Sequence, residues 1–242
     1  MAQSAPTIKK LSLELGGNAP VLVFNSANID QAVQGVMDTK FRNAGQTCVC
    51  ANRIYVQSEI YDVFVEKLKI KVEQLHVGNG LDATTDIGPL INRKAILKVE
   101  EHIQDALTKG ATLVTGNISN SDGNWCTPTV VKDVTQNMLC AKEETFGPFA
   151  PIFKFESEEQ AIAMSNDTEF GLAAYVFTQN INQFIRVSRG LEYGMVGVNT
   201  GLISNAAAPF GGMKSSGIGR EGSKYGMDEY LEIKYVCLGN IN

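Results

Sequence analysis

Histidine is nearly absent from this chain of 242 residues, which holds only His76 and His102. His76 lies in a Lys/Glu-rich stretch and His102 follows Glu100-Glu101. Neither has metal-ligand spacing or a serine in a nucleophile elbow beside it, so both are expected on helix surfaces. A zinc hydrolase and a Ser-His-Asp enzyme are thereby excluded, and no metal site is expected. Long apolar runs are lacking too, and nothing approaches the ~18 residues of a membrane span. Met1 to Thr7 has neither the basic nor the apolar region of a signal peptide, so a cytoplasmic location is expected. The triplets Asn117-Ile118-Ser119 and Asn166-Asp167-Thr168 then read as chance sequons. There is no basic excess: 21 Lys and Arg against 26 Asp and Glu leave a net charge of −5, which argues against nucleic acid as a partner. The five cysteines are odd in number and scattered, which fits reduced thiols rather than a disulfide framework.

What is present reads as alternating strands and helices. Leu11, Leu13 and Leu15 alternate with polar residues up to Gly16-Gly17, and Pro20 to Phe24 is a fully apolar strand. Asn28 caps a helix with the stripe Ile29, Ala32, Val33, Val36 and Met37, open to extension by Lys40-Phe41, and ending at Gly45. A strand at Arg53–Val56 precedes a helix opened by Ser58, with Ile60, Phe64, Leu68, Val72 and Leu75 facing inward. Gly78 to Pro89 is loop. A third helix carries Ile96, Val99, Ile103 and Leu107 and stops at Gly110. Strands are expected at Ala111–Thr115, Thr129–Val131, Phe149–Phe155, Ala173–Phe177 and Met195–Asn199, with helices after the Ser157 capping box and over Asn182–Arg189. The fold class is therefore α/β, an open and mostly parallel sheet with helices on both faces.

Gly201 to Gly226 is a long glycine-rich loop. Beyond it, Leu231, Ile233, Tyr235 and Cys237 alternate with Glu232 and Lys234. Two readings stand for Tyr230–Leu238: an edge strand of the same sheet, or a strand that pairs with another chain or domain. Gly217-Ile218-Gly219-Arg220-Glu221-Gly222 matches the dinucleotide G-x-G-x-x-G pattern but follows a polar loop rather than a strand, so turn glycines are the better account.

With histidine scarce, a cysteine is the best nucleophile. Cys48 ends the small-residue loop Asn43-Ala44-Gly45-Gln46-Thr47, where a substrate can approach the backbone. Glu14, directly before Leu15-Gly16-Gly17, is its partner as a base, expected at a strand's carboxyl end, where open α/β sheets place their sites. Cys50 is close enough in sequence to close a small, strained, easily reduced disulfide with Cys48, or else is a buried packing cysteine.

Arg42 to Cys48 taken with Leu13 to Gly17 closely resembles the aldehyde dehydrogenase family. Glu143-Glu144-Thr145-Phe146-Gly147-Pro148 resembles that family's third signature, and Pro209-Phe210-Gly211-Gly212-Met213-Lys214 through Ser216-Gly217 its fourth. Cys48-Val49-Cys50-Ala51-Asn52-Arg53, Gly201-Leu202-Ile203-Ser204 and the ending through Tyr235 look like the succinate-semialdehyde branch. The resemblance implies a cysteine thiohemiacetal and thioester, with Glu14 as the base that activates water. It also implies that Arg42 and Ser204 hold the substrate's distal carboxylate and that Phe210 lines the aldehyde tunnel. Glu144 and Phe146, with Leu15 and Gly16, would meet an NAD or NADP cofactor, and Asn199 would support the site. Glutarate semialdehyde or another carboxylated aldehyde is the alternative substrate, and a non-catalytic structural relative the alternative function. The implied organisation is a remnant of a cofactor-binding domain at 1–16, a catalytic domain at 17–228 and an oligomerisation strand at 229–242. A homo-oligomer is implied for the parent enzyme, and inactivity for this piece alone.

Overall fold

The computed structural model describes residues 1–117 and 123–240. Ile118 and Ser119 of the first sequon-like triplet lie outside the described residues, as do Ile241 and Asn242 at the end of the expected oligomerisation segment.

The elements begin with β1 (Leu13–Glu14), β2 (Ala19–Val23), α1 (Ile29–Lys40), β3 (Ala51–Gln57) and α2 (Tyr61–Glu73). There follow α3 (Arg93–Thr108), β4 (Thr112–Thr115), β5 (Thr129–Val134), α4 (Leu139–Lys142) and β6 (Phe149–Phe155). The chain continues through α5 (Glu158–Asn166), β7 (Ala173–Phe177), α6 (Ile181–Gly190), β8 (Met195–Val198) and β9 (Gly217–Ile218). Seven of these strands form one sheet in the order β4-β5-β6-β3-β2-β7-β8. All its pairings are parallel except β4 with β5. This is the architecture the alternation predicts, with one antiparallel edge.

Side-chain pattern explains the layers. Every residue of β2 and β7 is buried, as a parallel strand covered on both faces requires. The connection from β2 through α1 steps towards the β4 edge, whereas those through α5 and α6 step towards the β8 edge. Right-handed crossovers then place α1 and α5–α6 on opposite faces. Asn28 and Ser157 cap where the sequence places them, each accepting a backbone N–H in the first turn of its helix, and Asn92 does the same for α3. Ser58 makes no cap hydrogen bond, and α2 starts at Tyr61.

Four expectations change. First, α1 stops at Lys40 rather than reaching Gly45, because Asn43 and Ala44 turn to positive φ and break the helical path. Second, His102 is not on a surface. It lies three residues beyond Val99 and four before Ala106, inside the buried stripe of α3. His76 is exposed, but in the turn after α2 rather than on a helix. Third, Tyr230–Leu238 is not a strand of this sheet. Its apolar residues stand in solvent, with Ile233 99% exposed, because nothing in the described chain offers them a partner edge or a face. Fourth, β1 stands outside the main sheet, paired only with β9, so Glu14 is not at a carboxyl end of that sheet. The same pairing takes Gly217-Ile218 into a strand, so of that glycine pattern only Gly219 and Gly222 lie in bends as turn glycines.

Asn180 is the N-cap of α6, its Oδ1 accepting from Asn182 N at 3.0 Å and Gln183 N at 3.2 Å. Asn180→Ala is expected to cost about 1 kcal/mol, read as a lower urea midpoint with an unchanged slope. An unchanged midpoint would remove the cap from the account of this helix.

Candidate active site

The four motif segments meet at the amino ends of the parallel strands. Gly17 precedes β2, Cys48 precedes β3 and Glu144 to Gly147 precede β6, while the fourth motif joins them through Ser216, bonded to Gly16 and to Gly171 ahead of β7. Two close backbone approaches set their spacing. A Cβ on Gly17 would lie 2.4 Å from the Cys48 carbonyl oxygen, so the segment leaving β1 rests directly on the nucleophile's backbone. Gly45, at φ +74°, sits where a Cβ would be 2.2 Å from the Gly147 carbonyl oxygen. Hydrogen bonds fasten the same segments. Gly17 N donates to Glu144 Oε1 at 3.0 Å. Ser216 Oγ donates to Gly16 O at 2.8 Å and accepts from Gly171 N at 2.9 Å. The Cys48 loop is held from below, where the Val49 carbonyl accepts from Tyr175 Oη at 2.8 Å and Thr39 Oγ1 at 3.3 Å.

Electrostatics separate the titrating groups by role. Both Glu14 carboxyl oxygens are shielded from water and have no hydrogen-bond partner among the described residues. Burial pushes the Glu14 pKa above its ordinary value, Glu221 adds to the rise, and Arg220 opposes it. The half-buried Cys48 thiol is raised as well, by burial first and then by the charges of Glu14 and Glu144, against the pull of the Cys48 and Val49 backbone N–H groups. The Cys48 N–H has no carbonyl or carboxylate acceptor among the described residues. Glu144 is raised by burial and pulled down by the Gly17 N–H and by Lys40. A protonated thiol beside an unsatisfied carboxylate is an arrangement for covalent catalysis, in which the base takes the thiol proton when an electrophile arrives.

The model of the aldehyde dehydrogenase family matches residues 1–236. The chain belongs to that family. It is 59% identical over 242 residues to the glutarate-semialdehyde dehydrogenase of Pseudomonas aeruginosa, covering all of this chain and 50% of that protein. It is 59% identical over 240 residues to the NADP(+) succinate-semialdehyde dehydrogenase of Escherichia coli K12, covering 99% of this chain and 50% of that protein. A crystal structure of an aldehyde dehydrogenase from Brucella melitensis biovar abortus superposes with a TM-score of 0.98 at 61% identity, covering 100% of this chain and 50% of that one. The chain thus spans about half the length of the relatives it matches.

Within this aldehyde dehydrogenase fold the remaining candidates divide into two groups. Leu15 is exposed and Gly16 half-buried beside Glu144, where a Cβ on Gly16 would lie 2.9 Å from Glu144 Oε2. Phe146, at φ +50°, lines a recess of about 440 Å³ with Asn43, Gln46, Pro89 and Ile91. Phe210 is half-buried against the core and exchanges backbone hydrogen bonds with Glu221. Gly16 thus lies against Glu144, Phe146 borders the loop that leads to Cys48, and Phe210 is tied to Glu221, whose charge acts on Glu14. Arg42 is exposed in a groove of about 380 Å³ with Gln34, Met37, Phe41 and Leu202, which Asp38 and Asp86 also line, and it forms no ion pair among the described residues. Ser204 is exposed two residues beyond Leu202.

Asn199 lies at the other end of the sheet. Its Oδ1 accepts from Thr178 N at 3.0 Å and its Nδ2 donates to Thr178 O at 2.9 Å, tying the ends of β7 and β8. From there the chain returns along α1. Gln31 Nε2 donates to the Asn199 carbonyl at 3.0 Å, and Gly201 packs on the Gly35 carbonyl. Asn199 therefore aims the loop that carries Leu202 and Ser204 towards the Arg42 end of the helix.

Cys48 and Cys50 are both free thiols. The buried Cys50 Sγ donates to the Lys40 carbonyl at 3.3 Å, and burial raises its pKa. The fully buried Lys40 stands where the sequence can extend the α1 stripe to Lys40-Phe41, but nothing in the sequence marks it as a neighbour of the site. Its Nζ donates to Asn52 Oδ1 at 3.0 Å. Ser216, which joins Gly16 to Gly171, was quoted only as a motif letter. His102 was misplaced for want of an apolar label.

Because the folded Glu14 holds its proton above the unfolded pKa, ionisation opposes folding, and its contribution to stability is lost as pH rises through the raised value. Glu14→Gln is thus expected to be more stable than the parent at pH 7 and to lose that margin below the ordinary carboxylate range. Urea titrations of both proteins across pH 3–8 check it, and a variant less stable at pH 7 would contradict the assignment.

Proposed function

We propose that this chain is the cysteine-and-glutamate half of an aldehyde dehydrogenase that oxidises an aldehyde bearing a distal carboxylate, succinate semialdehyde foremost. The observation that carries the reading is the Glu14 carboxylate, shielded and unpartnered, acting electrostatically on the Cys48 thiol. Cys48 attacks the aldehyde carbon as Glu14 takes its proton, and the Cys48 N–H is the backbone donor for the oxyanion. A nicotinamide dinucleotide, when bound, supplies the hydride acceptor that turns the adduct into a thioester. Glu14 gives the thiol proton up to solvent and, ionised again, deprotonates the water that releases the acid. Glu144 fits the cofactor's ribose hydroxyls: one oxygen is engaged by Gly17, and the other faces Gly16. Leu15, Gly16 and Phe146 border the same face.

Arg42 suits the substrate carboxylate because it is exposed and unpaired in a groove that Leu202 brings next to the Ser204 loop. A guanidinium offers a planar fork to a carboxylate, and a hydroxyl adds an oriented donor. Glutarate semialdehyde differs by one methylene and uses the same groups. The remainder of the cofactor domain lies in the other half of the parent enzyme, with 1–16 as its remnant, 17–228 as the catalytic domain and 229–242 as the arm. The exposed apolar alternation from Leu231 to Leu238 supports an oligomerisation strand that pairs with a second copy. The short Cys48–Cys50 spacing supports a reversible disulfide that silences the nucleophile, and thiol counting after peroxide and then dithiothreitol tests it.

In the full-length enzyme, Arg42→Ala is expected to raise KM for succinate semialdehyde by about 10–100-fold, the range for a charged hydrogen bond of ~1.5–3 kcal/mol. It should leave an uncharged aldehyde of similar length unaffected. Equal losses on both aldehydes would exclude Arg42 as the carboxylate anchor. The purified 242-residue chain alone is expected to give no NAD(P)H, and measurable turnover would overturn the division of the enzyme into two dependent halves.

A further inference from the structure

His102 shares the face of α3 that meets the segment Glu143-Glu144-Thr145-Phe146-Gly147. Its Nδ1 lies 3.0 Å from Thr145 Oγ1, and its Nε2 lies 3.6 Å from Glu143 Oε2 with no closer partner. Burial holds the imidazole neutral, with a pKa down to about 4. The charged groups that face it are Lys98, Glu101 and Asp105 from α3 and Glu143 from the facing segment. Glu143 is kept ionised by Lys98 and can only accept. The single imidazole N–H therefore sits on Nε2, which leaves Nδ1 to accept the Thr145 hydroxyl proton.

The next contact is steric. A Cβ on Gly147 would lie 2.3 Å from Val99 Cγ2, one turn before His102 on the same helix. Positions 143, 145 and 147 are thus engaged by α3 through an ion pair, a hydrogen bond and a close packing contact. Positions 144 and 146 are left for the site: Glu144 against Gly17, and Phe146 exposed in a left-handed conformation. A left-handed aromatic residue costs on the order of 1–3 kcal/mol and persists only where its neighbours are fixed. The order carboxylate, imidazole, hydroxyl resembles that of a hydrolase triad. Thr145, however, is 1% exposed and no substrate reaches it.

We infer that His102 is a positioning residue for the cofactor side of the site, locking Thr145 so that Glu144 and Phe146 present the surface a dinucleotide meets. The inference rests on the reading of Glu144 as the ribose-binding carboxylate. It is tested in the full-length enzyme with His102→Phe, which keeps bulk but loses the acceptor, and with Thr145→Val, which removes the donor. Each is expected to weaken NADPH binding, read by fluorescence titration, and to raise KM for the oxidised cofactor by about 5–20-fold. The kcat at saturating cofactor and the alkylation rate of Cys48 should stay within about twofold. His102→Gln, which retains an acceptor, is expected to recover part of the loss, and the double variant to be no worse than the poorer single one. Imidazole 15N shifts should show the Nε2–H tautomer without protonation above pH 5. If the variants melt earlier yet bind NADPH as the parent does, or if their effects simply add, His102 only fills the core and the inference fails. If the parent itself does not bind a nicotinamide dinucleotide, it is the functional reading that fails.

Discussion

One carboxylate fastens the site. Glu144 accepts the Gly17 N–H, and through Gly17 it holds the segment from Glu14 against the backbone of Cys48. A hydrogen bond to a charged acceptor contributes about 1.5–3 kcal/mol. Here it also sets a distance, because Gly17 can approach the Cys48 carbonyl only without a side chain. The base, the nucleophile and the candidate cofactor carboxylate are thereby placed relative to one another by main chain rather than by flexible side chains. Ser216 repeats the device from the other side by joining Gly16 to Gly171.

The groups that make this site reactive are the ones that would lower the stability of an ordinary protein. Glu14 has no partner for either oxygen, and burial raises both its pKa and that of Cys48. Asn43, Ala44 and Phe146 take left-handed backbone conformations around them. These costs are offset by a sheet whose strands β2 and β7 are buried along their whole length and by interior charged groups with full sets of partners. Arg53 is an example, fully buried yet donating to the Asn18, Met164 and Ser165 carbonyls and to the Tyr193 hydroxyl.

Periodicity made most of the sheet legible. The strand at Ala173–Phe177 and the apolar stripe of α3 are where the pattern puts them, because burial on a regular element repeats at fixed spacing. The four motifs in order identified the family. What pattern could not supply was which end of the sheet carries the site. β1 is too short and isolated for its carboxyl end to belong to the main sheet, so the functional loops enter the parallel strands rather than leave them. His102 was misjudged because a buried imidazole and a surface one look alike until the opposing Thr145 is in place. The alternation after Tyr230 was real, but alternation requires a partner to become a strand, and the described chain contains none.

The distances in sequence between the parts of the site have a consequence for how the chain matures. Glu144 meets Gly17 across 127 positions, and Ser216 meets Gly16 across 200. Loops of that span close late, after local helices and neighbouring strands have formed. A newly made chain therefore holds both Glu14 and Cys48 early, but the base is set in place only when later segments dock, Glu144 on Gly17 and β9 on β1. The cysteine remains an ordinary protonated side chain until the last segments dock, and reactivity is withheld until assembly is complete.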